Sequence, residues 1–232
     1  MKTVAFIPAR KNSKRLPGKN IKKLNGLPLI KHSIEFARNL KFVDDIVIST
    51  DDKKIINMYK KSKIIKIFKR PKILSGDKAK TVNVVIYTAK KYEKKFSKIE
   101  TIILLQPTSP FRSKKLIYTA FRNFIKYKKK NSIISVTKLN QEKKKSFLIK
   151  NKKLYYDSYK NKKKNSFYIN GNFYISTLSF LKKYQSFFFK NKTLAMKLNF
   201  KPLSVDIDSI QDFRDAKSYI KQYKYKLNKA FF

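Results

Sequence analysis

Short apolar runs and segments of helical period take turns along this chain, and that alternation restricts its fold more than any other feature. Thr3 to Ile7, Asp45 to Thr50, Ile64 to Phe68, Thr101 to Leu105 and Ser132 to Thr137 are short, rich in β-branched residues and bounded by turn formers. Such runs read as strands buried on both faces. Between them, Leu29 to Leu40, Lys53 to Lys61, Thr81 to Tyr92 and Lys114 to Tyr127 read as helices. Leu29, Ile30, Ser33, Ile34, Ala37 and Leu40, for example, return close to every 3.6 residues. The pattern predicts an α/β fold with a doubly wound, mostly parallel, Rossmann-like sheet. Ligands of such sheets sit beyond the carboxyl ends of the strands, here the loops after residues 7, 50, 68 and 105.

The rhythm breaks at 140–165, a lysine-rich stretch with Leu148, Leu154, Tyr155 and Tyr156 embedded, which reads as an inserted arm. Phe167 to Ser176 reads as a strand pair turning at Asn170-Gly171, Leu203 to Ile207 as a late strand, and Ser209 to Leu227 as a closing helix. At 232 residues, one domain over 1–232 is expected, with 140–165 as its appendage.

Charge offers a function class that the distribution argues against. Lys+Arg number 58 against 14 Asp+Glu, a net +44 that would suit a nucleic-acid or anionic-membrane binder. The lysines are scattered over every segment, and abundant Asn, Ile, Phe and Tyr beside only 4 Gly and no Trp fit the coding bias of an A/T-rich genome. No specific nucleic-acid partner is therefore expected. No run approaches the roughly 18 apolar residues of a membrane span. The absence of cysteine excludes disulfides and thiolate metal sites. A cytoplasmic protein is expected.

Against so many lysines, the 7 arginines and 4 glycines stand out. The first loop, Pro8 to Asn20, carries Arg10, Arg15 and Gly18, together with Lys11, Lys14 and Lys19. A basic, glycine-containing turn directly after a strand offers converging charges and backbone N–H donors to a polyphosphate. The spacing is not that of a Walker A loop.

The pattern Ile7-Pro8-Ala9-Arg10-x-x-Ser13-x-Arg15-x-Pro17-x-Lys19-Asn20 resembles the signature of the acylneuraminate cytidylyltransferases, the CMP-sialic acid synthetase family. The likeness continues, in the family's order, through Ile48-Ser49-Thr50-Asp51-Asp52, Arg70-Pro71 with Asp77, the segment Leu104 to Arg112, Asn170-Gly171 and Val205-Asp206-Ile207-Asp208. The glycines and most arginines of these motifs are expected in loops. The resemblance implies transfer of CMP from CTP to the anomeric hydroxyl of a nine-carbon 2-keto sugar acid (sialic, legionaminic or related), with Mg²⁺ and release of pyrophosphate. It implies that Arg10, Ser13 and Lys19 hold the triphosphate, and that Asn20, Arg70 and Thr81 contact the cytidine. Gln106 would meet the sugar acid, with Arg112 and Asn170 beside it, and Asp206 and Asp208 would hold Mg²⁺. A homodimer with 140–165 as the contact arm is also implied.

The residues themselves agree in part. Asp206 and Asp208, two apart in an extended segment, present both carboxylates on one side, where one hard cation can meet them. Asp212 suits a third ligand or the start of the last helix equally well. Arg112 suits either a bidentate carboxylate contact or a helix N-terminal surface position. His32 falls inside a helix and receives no role. Catalysis by positioning and charge neutralisation is expected, with Arg10 and Lys19 facing the developing pyrophosphate. No residue presents itself as a general base.

One departure leaves the acceptor open: many family members carry Arg or Lys two residues before Asn-Gly, where this chain has Tyr168. CMP-Kdo synthetases share the Arg-Leu-Pro-Gly-Lys stretch, but Asn20 and the Gln-Pro-Thr-Ser-Pro-Phe-Arg segment stand against that alternative. A non-catalytic basic nucleotide- or RNA-binding protein should gather its cations and exposed aromatics on one face; the intact first loop and the Asp206/Asp208 pair favour an enzyme.

Overall fold

The computed structural model describes residues 1–139, 146–157 and 166–223. β1 (Lys2–Ala9) leads into the long first loop, which holds a small hairpin of β2 (Lys23–Leu24) and β3 (Leu27–Pro28), and then α1 (Leu29–Arg38). There follow β4 (Asp45–Thr50), α2 (Lys53–Tyr59), β5 (Ile65–Lys69), α3 (Thr81–Glu93), β6 (Ile99–Leu104), α4 (Lys114–Lys126) and β7 (Ser132–Lys138). These lie within a residue or two of the predicted elements. The chain continues through β8 (Phe147–Lys150), β9 (Lys153–Tyr156), β10 (Phe167–Thr177), α5 (Leu178–Tyr184), β11 (Thr193–Lys197) and α6 (Ile210–Gln222).

Nine strands form one sheet in the order β5-β4-β1-β6-β10-β7-β11-β9-β8. The first four are mutually parallel, as the alternation predicts. β10 runs antiparallel between β6 and β7. Along β1, Ala5 and Ile7 join the core beneath α1, α4 and α6, while Val4 and Phe6 join the core beneath α3 and α5. All four are at most 1% exposed, which is why the strand reads as an unbroken apolar run. The pairing of β1 with β6 stops at Phe6↔Leu104, and Pro8, which has no N–H to offer, comes two residues later. The chain moves to β4 on one side of β1 and later to β6 on the other, so the strands splay at a topological switch point.

Two predicted elements differ. Phe167 to Ser176 is one continuous strand, not a pair. Its register to β7 slips between Ile169↔Val136 and Tyr174↔Ile134, leaving residues 170–173 opposite Ser135. Asn170 Oδ1 accepts from Ser135 Oγ (2.7 Å) and from Asn172 N (3.1 Å), and Phe173 N donates to Ser135 Oγ (3.0 Å). These side-chain bonds replace the ladder, so the Asn-Gly signal makes a bulge instead of a hairpin. Gly171, expected in a loop, therefore lies inside a strand, at φ 79°.

Leu203 to Ile207 is not a strand either. Lys201–Ser204 is a 3-10 turn entered through Pro202, and the extended residues after it pair with no strand. The closing helix is α6, begun by Ser209; the predicted continuation from 224 lies outside the described residues. Of the arm at 140–165, residues 146–157 hold the β8–β9 hairpin, which docks on β11 and touches β10 at Phe147↔Phe167. Its Asn151-Lys152 turn takes positive φ at both residues, as a two-residue hairpin turn requires. Residues 140–145 and 158–165 of the arm lie outside the described residues. Among the described residues, no helix is long and apolar enough to cross a membrane.

Candidate active site

At the switch point, a cleft of about 300 Å³ opens between the first loop, the segment after β5 and the segment before α6. It gathers eight of the eleven candidate residues: Arg10, Lys19, Asn20, Arg70, Thr81, Gln106, Asp206 and Asp208. Chain folding, not sequence proximity, does this. Gly18 turns the loop back at φ 64°, and Asn20 Nδ2 donates to the Arg10 carbonyl (2.8 Å), so both ends of the loop face one space.

The loop cations are held by two carboxylates of the cleft lining, Asp77 and Asp208. Asp77 receives Arg10 Nη1 (2.6 Å) and Lys14 Nζ (3.0 Å). Asp208 receives Lys19 Nζ (2.7 Å) and Arg15 Nη2 (2.6 Å). Lys14 and Arg15 are largely exposed, so their pairs are weak. Lys19 is only 11% exposed, and its charge is correspondingly less screened. Lys14 and then Arg10 hold the Asp77 carboxyl below its ordinary range.

Arg70 lies under the cleft floor, 7% exposed. Its Nη2 donates to the Ser49 carbonyl (3.0 Å), but its Nε is buried with no hydrogen-bond partner among the described residues. Burial lowers its pKa to about 10, against the pull of Asp51. A cleft-lining cation with an unmet donor is suited to a polar ligand atom.

Asp206 and Asp208 flank Ile207, which is fully buried and donates its N–H to the Thr108 carbonyl (2.7 Å). That anchor turns both neighbours toward the cleft, as the spacing predicts, though in an unpaired segment and not a strand. Asp206 is open to water through the cleft yet crowded by protein on its other sides. The crowding raises its pKa, a hydrogen bond with Thr108 opposes this, and the charge of Asp208 adds to it. Asp212 is not aimed at the cation position. Its Oδ2 accepts from Asp208 N, Ser209 N and Ser209 Oγ in the cap of α6.

Three candidate residues are not brought to this cleft. Ser13 lies on the loop's outer side, lining a separate hollow with Asp52. Asn170 is buried in the β10 bulge, spends its amide on Thr137 and Ser135, and borders a neighbouring cavity. Arg112 is neither a surface residue nor a cleft residue: it is fully buried, with Nε on the Asn172 carbonyl (2.9 Å), Nη1 on Ser33 Oγ (3.0 Å) and Nη2 on the Gln106 carbonyl (2.6 Å). Burial with no carboxylate beside it lowers its pKa to about 9. It fixes the backbone behind Gln106 and cannot also grip a substrate carboxylate. His32, given no role, is half-buried with Nε2 2.9 Å from the Leu24 carbonyl.

Sequence reasoning gave Asp77 and Thr108 no role, although both line the cleft. Asp77 had a signal, as one of 14 acidic residues placed one after Gly76. Thr108 carried none beyond its place in a proline-bounded turn.

Comparison with known proteins shows the family and the fold. Residues 4–231 match the family model described as Cytidylyltransferase. The chain is 32% identical over 221 residues to a CMP-N,N'-diacetyllegionaminic acid synthase of Legionella pneumophila, covering 92% of this chain and 94% of that one. It is 32% identical over 224 residues to a pseudaminic acid cytidylyltransferase of Campylobacter jejuni, covering 94% and 95%. Its fold matches a CMP:2-keto-3-deoxy-manno-octonic acid synthetase complexed with CTP, with a TM-score of 0.75 over 96% of this chain and all of that one, at 16% identity.

Proposed function

The chain belongs to the cytidylyltransferase family, and from that premise we propose that it transfers CMP from CTP to the anomeric hydroxyl of a nine-carbon 2-keto sugar acid. The acceptor oxygen bonds to the α-phosphorus, the bond from that phosphorus to the bridging oxygen breaks, pyrophosphate leaves, and the hydroxyl proton passes to solvent. The observation that carries the reading is the cleft itself, whose lining gathers Arg10, Lys19 and Arg70 with Asp206 and Asp208. The names of the Legionella and Campylobacter relatives support the acceptor class.

Arg10 and Lys19 face the triphosphate and neutralise the charge that grows on the departing pyrophosphate. To do so they exchange the carboxylates of Asp77 and Asp208 for phosphate oxygens. Asn20, Arg70 and Thr81 hold the cytidine, with the free Nε–H of Arg70 available to it. Gln106 meets the acceptor. Asp206 and Asp208 fit Mg²⁺, because a pair of carboxylates on a polyphosphate-facing wall is the kind of donor set this ion uses, substrate phosphates completing its shell. When bound there, Mg²⁺ would supply further charge neutralisation. A homodimer through the 140–165 arm belongs to the same reading, and analytical ultracentrifugation tests it.

The test is pyrophosphate release from CTP and Mg²⁺ with a panel of nine-carbon and eight-carbon keto acids. Release with a nine-carbon acid is expected. Folded protein that releases none with any acid, or that prefers an eight-carbon acid, overturns the reading.

A further inference from the structure

A second cavity, of about 260 Å³, opens on the far side of Asp206, with Tyr168, Asn170, Lys201 and Tyr219 in its walls. Asp206 lines both this cavity and the nucleotide cleft, so the two spaces adjoin at that carboxylate. Outward, past Tyr168, Lys201 and Tyr219, a larger hollow of about 760 Å³ continues.

The chemistry of the walls is uneven. The hydroxyl of Tyr168 is engaged by Ser204 and Thr137. Asp212 is spent in the cap of α6, and Asp215 accepts from Gln211 Nε2 (2.8 Å). Lys201 is different. Its ammonium lies 5.7 Å from the centroid of the Tyr219 ring, and among the described residues it makes no ion pair. Arg10, Lys14, Arg15 and Lys19 around the nucleotide cleft all have carboxylate partners. The walls also carry the carboxylates of Asp206, Asp212 and Asp215, so Lys201 is the one cation among the described lining residues and the one point where a polyhydroxylated ligand's own carboxylate can be gripped.

We infer that this cavity receives the sugar acid and that Lys201 binds its carboxylate, setting the acceptor against the nucleotide at Asp206. The inference rests on the proposed cytidylyl transfer and identifies the part of the chain that selects acidic acceptors. Lys201 stands on the turn that leads into Asp206, so a carboxylate held there fixes the acceptor relative to the reacting phosphorus.

The test compares wild type, K201M and K201R with a keto acid and with the same sugar carrying a carboxamide in place of its carboxylate. K201M should raise the KM for the acid by at least about tenfold, the factor contributed by a charge-assisted hydrogen bond. The KM for CTP should stay within about twofold, the carboxamide should be handled alike by wild type and K201M, and K201R should recover most of the loss. Turnover in which K201M keeps the wild-type KM for the acid, or loses acid and carboxamide equally, overturns the role of Lys201 alone. Wild-type protein that turns over no keto acid overturns the parent reading, and this one with it.

Discussion

A Cβ placed on Gly171 would lie 2.6 Å from Oε1 of Gln106. The β10 bulge thus presses a bare backbone against the side chain that borders the nucleotide cleft. Gly171 also holds φ 79°, a region that L side chains rarely adopt. G171A should therefore push the Gln106 amide aside and strain the bulge. We expect a stability loss of about 1–3 kcal/mol by urea unfolding. We also expect a raised KM for the acceptor with little change in the KM for CTP. An alanine variant with wild-type acceptor kinetics would show that the contact does not position Gln106.

Arg112 behaves as a strut. R112M leaves the Asn172 carbonyl without its donor in a closed interior, while the Gln106 carbonyl keeps Ser109 N (3.1 Å) and Ser33 Oγ (3.4 Å). A stranded buried carbonyl costs about 1–3 kcal/mol, so urea unfolding should show a loss of that order. R112K should recover little, because one ammonium cannot reach three acceptors arranged around a planar fork. If Arg112 instead held a substrate carboxylate, R112M would keep its stability and change only the acceptor KM.

The parallel half of the sheet was legible because its strands are buried on both faces, and such strands announce themselves as apolar runs. The make-up of the cleft was legible where scarcity, spacing or a motif carried the signal, as for Arg10, Asp206/Asp208 and Lys19 respectively. What failed had a common cause. Asn170-Gly171 is a turn signal, yet the side chain of Ser135, 35 residues away, converts it into a bulge. Arg112 read as a substrate contact or a surface residue because its acceptors, Ser33 and Asn172, are remote in sequence. Such tertiary hydrogen bonds leave no periodic trace.

His32 is the chain's one histidine, so its titration can be followed without ambiguity. Burial lowers its pKa below 6.5, partly offset by bonds to the Leu24 and Leu27 backbone. The unfolded chain then binds a proton at a higher pH than the folded one. This contribution to stability is present above about pH 6.5 and is lost as pH falls toward the folded value. The ring resonances should titrate with a midpoint below 6.5 by NMR, and H32Q should flatten the acid side of the stability profile. A midpoint above 6.5 would contradict the half-buried, neutral imidazole.

Asp77 and Arg10 form a half-exposed pair that has to open before Arg10 can face phosphate. D77N removes that competitor. Pairs of this exposure are weak, so the variant should bind CTP only up to a few-fold more tightly by calorimetry. Weaker binding would mean that Asp77 positions Arg10 for the nucleotide instead of competing for it.

Asp208 also competes for loop cations, but it has a second task in the proposed reaction, and the two separate in D208N. Loss of its charge releases Lys19 and Arg15, so CTP binding without metal should be unchanged or tighter. The same loss removes one of the two carboxylates suited to Mg²⁺, so the divalent ion should bind more weakly to the CTP complex. Mn²⁺ followed by electron paramagnetic resonance reads this directly. Turnover should fall by roughly two orders of magnitude or more, since the metal's charge stabilisation amounts to several kcal/mol. The Tm should change little, because the fold at this point hangs on Ile207 and the cap of α6, neither of which needs the Asp208 side chain. A variant with near-normal turnover and wild-type Mn²⁺ affinity would remove Asp208 from the metal site and leave it only as the resting partner of Lys19.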